Sequence, residues 1–271
     1  MTTQQAIWSA RHRQSADGIA YIAQGAGPTM LLLHGVGLRA ESWAAQIAAL
    51  SAQFTVVAVD LPGHGESAQL TAATLPDYIE TLHKFIASLP SPVFLAGHSF
   101  GALLALKIAA RHPESIAAVA ALNCVYRRTP AVQRAVLQRA EAMAADDIDT
   151  ASPVSRWFGE SPAEHVAAAA AACRRWLQTA NRQGYADAYM QFAHCDGASD
   201  AELDSLTMPA LFLTGTDDLN SSPQMSQTMA TAAPRGRAAI IEGGGHMMMM
   251  THDAAVTGYL TDFFTKADCN D

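Results

Sequence analysis

The chain has 271 residues, half of them hydrophobic and only 15% charged, with a formal net charge of -8. That length and apolar share suffice for one large core, so one domain with an insertion is expected rather than two. The acidic balance and the lack of any Lys/Arg run exclude a nucleic-acid or anionic-membrane surface, both of which need clustered positive charge, and leave a small molecule as the expected partner.

The segment from Met1 to Gln24 mixes Gln, Arg, His and Asp with isolated apolar residues, which is neither a signal-peptide core nor a membrane span, so a cytoplasmic location is expected. Cys124, Cys173, Cys195 and Cys269 are far apart and show no C-x-x-C spacing, as reduced thiols would. Ile7 to Arg13 and Gly18 to Ala23 read as two edge strands around a turn at Ala16-Asp17-Gly18. Met30 to Leu33 is a continuous apolar run that ends in His34-Gly35-Val36-Gly37, and an amphipathic helix over Ser42 to Leu50 follows. Phe54 to Val59 is a second buried strand, closed by the turn Asp60-Leu61-Pro62-Gly63-His64-Gly65-Glu66-Ser67. A helix over Asp77 to Leu89, a strand over Pro92 to Ala96, a helix over Ala102 to Ala110 and a strand over Ile116 to Leu122 complete the first part. Strands that are apolar throughout and alternate with helices specify a parallel sheet covered on both faces.

After Val125 the alternation stops. From Tyr126 to about Thr207 the pattern is helical only, over Ala131 to Ala145, Pro153 to Gly159, Ala163 to Gln183 and Tyr185 to Cys195. It resumes with a strand at Leu211 to Thr214, a helix at Pro223 to Ala232, a strand at Ala238 to Ile241 and a helix from Asp253 to Lys266. The expected organisation is a sheet-and-helix core, 1–125 and 208–271, with 126–207 inserted as a helical cap over the C-terminal edge of the sheet, where such sheets bind ligands.

Three turns at strand ends carry chemistry. Gly97-x-Ser99-x-Gly101 lies where a buried strand becomes a helix, a context in which the tight turn requires glycines and lifts the serine hydroxyl clear at a helix N-terminus. The strand Leu211 to Thr214 ends in Gly215-Thr216-Asp217-Asp218, and the strand Ala238 to Ile241 ends in Glu242-Gly243-Gly244-Gly245-His246. A serine hydroxyl is a poor nucleophile until an imidazole takes its proton, and that imidazole needs a carboxylate to fix its tautomer. Ser99, Asp218 and His246 are therefore the expected catalytic set. The backbone N–H groups of Phe100 and Val36 are the candidate oxyanion donors.

Together, His34-Gly35-x-Gly37 with Trp43, the turn Asp60 to Ser67, Gly97-His-Ser-Phe-Gly101, Gly215-x-x-Asp218 and Gly245-His246 resemble the α/β-hydrolase superfamily over nearly the whole chain. The helical insertion is similar to that of the capped esterase branch, which includes 3-oxoadipate enol-lactonase and pimeloyl-carrier-protein methyl ester esterase. The resemblance implies a mostly parallel sheet of about eight strands with helices on both faces, and cofactor-free hydrolysis of a small ester or lactone through an acyl-enzyme. Its Gly-x-x-Asp spacing favours Asp218 over Asp217. The chain departs from the family where Met247 to Met250 follow the histidine.

His34, His64 and His98 each sit inside a turn motif, which suits backbone hydrogen bonding better than a metal site, and no metal or other cofactor is expected. His34, Gly35, Val36, Phe100, Met247, Trp157 and Tyr189 are the expected pocket residues. Trp176, Leu177, Tyr185 and Phe192 belong to the same aromatic-rich insertion, whose arginines read as a solvated surface with an inward one for a substrate carboxylate as the alternative. Carbon–carbon bond hydrolysis and perhydrolysis use the same triad and remain open beside ester or lactone cleavage, as does a ligand-sensing receptor of the same build. A monomer or homodimer is expected.

Overall fold

The computed structural model describes residues 14–71, 73–145, 149–160 and 162–268. The expected strand over Ile7 to Arg13 and the thiol of Cys269 lie outside them. Eight strands form one sheet in the order β1-β2-β4-β3-β5-β6-β7-β8: β1 Gln14–Ala16, β2 Ile19–Gln24, β3 Thr29–Leu33, β4 Thr55–Val59, β5 Val93–His98, β6 Ile116–Leu122, β7 Ala210–Gly215 and β8 Gly236–Ile241. β1 and β2 make an antiparallel hairpin on the two-residue loop Asp17-Gly18, both residues at positive φ as such a loop demands. β2 pairs antiparallel with β4, and every other pairing is parallel.

The uninterrupted apolar runs follow from burial on both faces. Leu31 and Leu33 of β3 pack into one hydrophobic cluster, whereas Met30 and Leu32 between them pack into the other. Val57 and Val59 of β4 and Leu95 of β5 join the first cluster, while Val56, Ala58, Phe94 and Ala96 join the second. Tyr78, Leu82 and Phe85 of helix Leu75–Ala87 close the first face, and Trp43, Ile47 and Phe264 close the second.

Helix boundaries differ from the sequence reading by local chemistry. The helix expected at Asp77 begins at Leu75, because the Thr74 N–H donates to Asp77 Oδ2 at 2.8 Å and Pro76 sits in the first turn. The helix expected at Ser42 starts with a 3-10 turn, Ala40–Trp43, before the α-helix Ala44–Leu50. Between β6 and β7 lie the helices Pro130–Ala144, Ser152–Phe158, Glu164–Thr179 and Arg182–His194, and a short fifth, Asp200–Asp204, that the sequence reading did not separate. Ser199 and Glu202 cap that fifth helix reciprocally. Among the described residues no strand interrupts this block, and no helix is long and apolar enough to cross a membrane.

Candidate active site

The parallel strands end along one edge, and their backbone ladder continues one step beyond the strands. The N–H of Ser99 donates to Leu122 O (2.8 Å), that of Asn123 to Leu213 O (2.9 Å) and that of Thr216 to Ile241 O (3.0 Å). Each turn that carries chemistry is thus tied to its neighbour. Gly215 lets the last of these turns close in: a Cβ there would lie 1.9 Å from Gly244 O, so only glycine admits the loop that delivers His246.

Ser99 links β5 to helix Phe100–Arg111 with φ 54° and ψ -114°, a conformation that costs a non-glycine residue free energy. Its flanking glycines are dictated by contact, since a Cβ on Gly97 would come within 2.2 Å of Gly101 O and one on Gly101 within 2.4 Å of Leu33 O. His246 Nε2 is 3.2 Å from Ser99 Oγ, and His246 Nδ1 is 3.0 Å from Asp218 Oδ2. Because the carboxylate only accepts, the ring proton belongs on Nδ1, and Nε2 is left to accept from the serine. Asp218 is 5% exposed, whereas Asp217 is exposed and bonded to its neighbour Thr216.

Asp218 is also held by groups absent from the sequence reading. Asn123 Nδ2 (2.8 Å) and Ser221 Oγ (2.5 Å) donate to Oδ2, and the Asn220 N–H (2.8 Å) donates to Oδ1. Burial by itself would raise this carboxyl, but the His246 imidazole and these hydrogen bonds outweigh it and hold the group far below the usual carboxylate range. Asn123 stands at φ 52° directly after β6. The one hint in the chain is its place: a polar, left-handed-tolerant residue at the end of an all-apolar strand.

The candidate oxyanion amides face a similar logic. Phe100 N is the first of its helix and has no intrahelical acceptor, and no hydrogen bond from the Val36 N–H occurs among the described residues. The Val36 loop is pinned by two histidines. Leu61 N donates to His34 Nε2 (2.9 Å) and Gly37 N donates to His64 Nε2 (3.0 Å), while the opposite ring nitrogens face Gly35 O and Pro62 O. His98 Nε2 donates to the carbonyl of His246 (2.7 Å). All three histidines are thus engaged with backbone. Burial lowers the pKa of His64, and burial together with the adjacent His246 holds that of His98 down at about 3.

A cleft partly open to solvent lies in front of Ser99 and His246. Core and inserted helices both line it: Val36 and Val125 from one side, Val132, Val136, Pro153, Trp157, Tyr185, Tyr189 and Phe192 from the other. Trp157 stacks over the His246 ring at 6.2 Å and 28°. The large apolar residues exposed among those described, Leu219 at 90% and Val132 at 46%, both belong to this lining.

Four expected pocket residues are displaced from it. His34 is fully buried behind the loop that it braces, and Gly35 is buried where a Cβ would come within 2.8 Å of His98 Nδ1 and 3.2 Å of the Ser99 Cβ. Met247 is buried in the core cluster on the second face, and Phe100 points into the first, edge-on to Tyr78. Trp157, Tyr189 and Val36 do line the cavity, whereas Trp176 and Leu177 pack into the core. Glu80, His83 and His112 also approach one another, but the two imidazoles stack at 3.5 Å and 7°, so their in-plane lone pairs run parallel instead of converging on one ion.

Comparison with known proteins yields concordant likenesses. The model of the alpha/beta hydrolase family matches residues 30–258. (E)-2-((N-methylformamido)methylene)succinate hydrolase of Acinetobacter baylyi is 42% identical over 238 residues, 85% of this chain and 88% of that protein. Pimeloyl-[acyl-carrier protein] methyl ester esterase of Xylella fastidiosa is 31% identical over 254 residues, 88% of this chain and 96% of that protein. Among solved structures, the enol-lactonase of Burkholderia xenovorans LB400 superimposes with a TM-score of 0.79 at 26% identity, covering 91% of this chain and 96% of that one.

Proposed function

The chain belongs to the alpha/beta hydrolase family, and on that premise we propose that it is a serine hydrolase that cleaves a small ester or lactone through an acyl-enzyme. The observation that carries this reading is the relay from Ser99 Oγ through His246 to a carboxylate with no proton of its own, placed at the floor of a cavity. Ser99 Oγ attacks the substrate carbonyl carbon as its proton passes to His246 Nε2, and the amides of Val36 and Phe100 receive the negative charge that develops on the carbonyl oxygen. His246 then gives that proton to the leaving oxygen. Water, deprotonated by the same ring, hydrolyses the acyl-enzyme and restores the serine. Asp218 keeps the imidazole in the accepting tautomer and stabilises its protonated form.

The helices of 126–207 act in this reading as a cap that excludes water and shapes the acyl pocket, supported by the side chains that they contribute to the same cavity as Ser99. A second reading is cleavage of an acyl–nitrogen bond, favoured by the relative whose name specifies an N-methylformamido substrate. The relay is unchanged in that case, and the proton goes to nitrogen. Labelling with a fluorophosphonate, followed by a panel of esters, lactones and N-formyl compounds, tests both. Labelling at Ser99 with turnover is expected; turnover that survives Ser99→Ala would refute the mechanism, and labelling without turnover on any panel member would indicate a ligand sensor.

A further inference from the structure

Three arginines, Arg128, Arg139 and Arg156, line the cavity in front of Ser99, and among the described residues no carboxylate shares that lining. In a chain with 25 acidic residues against 17 Lys and Arg, this is a local charge of the minority sign. The three groups are differently engaged. The Arg128 side chain is 1% exposed and its two terminal amino groups are engaged, Nη1 with Gln133 Oε1 (3.1 Å), Cys195 O (3.0 Å) and Asp196 Oδ1 (3.4 Å) and Nη2 with Phe192 O (3.3 Å). It also lies 4.3 Å from the Phe192 ring, so it is a neutralised strut between helices.

Arg139 spends only Nε, on the Tyr189 hydroxyl at 3.0 Å. Both terminal amino groups of its fork remain uncommitted among the described residues, as does the proton of the hydroxyl that it holds. Arg156 makes no hydrogen bond or ion pair among the described residues, although the exposed Asp149 feels its charge. Two uncommitted guanidinium groups beside aromatic and aliphatic walls form a site that gains most from a planar anion, because a guanidinium offers paired donors that match a carboxylate and loses little on partial dehydration.

We propose that Arg139, with Tyr189, and Arg156 bind a carboxylate of the substrate, so that the hydrolase takes small acyl compounds bearing a carboxylate remote from the scissile carbonyl. This rests on Ser99 as the nucleophile and adds what the acyl group must carry. The apolar lining then contacts the carbon skeleton between the two ends.

The test compares 4-nitrophenyl hydrogen adipate with its neutral methyl ester, 4-nitrophenyl methyl adipate, on the wild type and on Arg139→Gln, Arg156→Gln and Arg156→Glu. The readout is the ratio of kcat/KM for the anionic over the neutral ester, with fluorophosphonate labelling to report whether the triad survives in each variant. The wild-type ratio is expected to exceed about 10, and each Arg→Gln change to lower it by about 10- to 100-fold, mostly through KM, as loss of a charged hydrogen bond does. Arg156→Glu should carry the ratio below that of Arg156→Gln. A wild-type ratio near 1, or a ratio unchanged in the labelled Arg156 variants, overturns the proposal while leaving the nucleophile intact. Failure of the wild type both to label and to cleave either ester overturns the underlying reading instead. Should Arg139→Gln not label, the exposed Arg156 pair decides alone.

Discussion

His98 predicts a measurable dependence of stability on pH. The ring is 1% exposed, its Nε2 donates to His246 O, and its Nδ1 meets no partner, so protonation would place a charge among buried groups next to a second imidazole. Its pKa is held at about 3 against 6.5 for the free side chain. The sign follows from proton counting. Between those values the unfolded chain binds a proton that the native state refuses, so the native advantage is complete above 6.5 and is lost as the pH falls towards 3. At about 1.36 kcal/mol per unit, a drop from pH 7.5 to 5 removes about 2 kcal/mol through this residue alone, a figure set by the unfolded pKa provided that the native one stays well below 5. His98→Gln retains a donor near the Nε2 position and titrates in neither state. Urea unfolding of both proteins at the two pH values should therefore show a decline about 2 kcal/mol smaller in the variant, with the contributions of His64 and Asp218 common to both. Equal declines would mean that His98 is charged in the native protein or stays neutral in the unfolded one, and the burial argument would fall.

Ser99→Ala should lower kcat by about 10³-fold or more with an unchanged unfolding midpoint, and retained turnover would exclude the nucleophile. Asp218→Asn should be far more damaging to kcat/KM than Asp217→Asn, since only the former holds His246 Nδ1; the reverse order would reassign the triad acid. Asn123→Gly suits the φ of 52° while removing the 2.8 Å donor to Asp218, and should cost about 1.5–3 kcal/mol by chemical denaturation; no loss would make that hydrogen bond dispensable. Gly97→Ala should cost about 3 kcal/mol or more because its Cβ would meet a backbone oxygen at 2.2 Å, whereas Gly258→Ala, at an exposed helical position with open space around it, should gain about 1 kcal/mol; similar effects of the two would refute the close-approach argument.

The alternation of strands and helices and the glycine turns at the strand ends were legible in the chain because close packing imposes them. Leu31 and Leu32 go to opposite faces of a doubly covered sheet, so an unbroken apolar run is required there; Gly97, Gly101 and Gly215 stand where backbones touch, so no other residue fits. Asn123 was not legible, since a hydrogen bond to Asp218 across 95 positions leaves no periodicity or spacing behind, and Ser221, three residues from Asp218, is one polar residue among several in a polar turn. The displacement of Met247 from the cavity has a similar origin. Met247 follows His246 in sequence but packs with Met248, Met249 and Met250 into the second core cluster, and adjacency along the chain carries no sign of that direction.

The arginines of the inserted helices show where sequence reasoning stops and what the fold adds. Arg127 pairs with Asp200 and Arg128 with Asp196, both acids lying near the far end of the insertion, while Arg139 and Arg156 reach the cavity from two different helices. Nothing in the spacing of those residues separates a strut from a surface charge or a ligand reader; only the way that the helices stack over the strand ends does so. The consequence is electrostatic. A net charge of -8 repels an anion at long range, and ions in solution screen that repulsion beyond about 8–10 Å, whereas contact between a carboxylate and a partly enclosed guanidinium is screened much less. An acidic exterior around a basic cavity therefore slows the approach of anions without weakening their hold once inside, and it places the discrimination in the cavity, next to the strained Ser99.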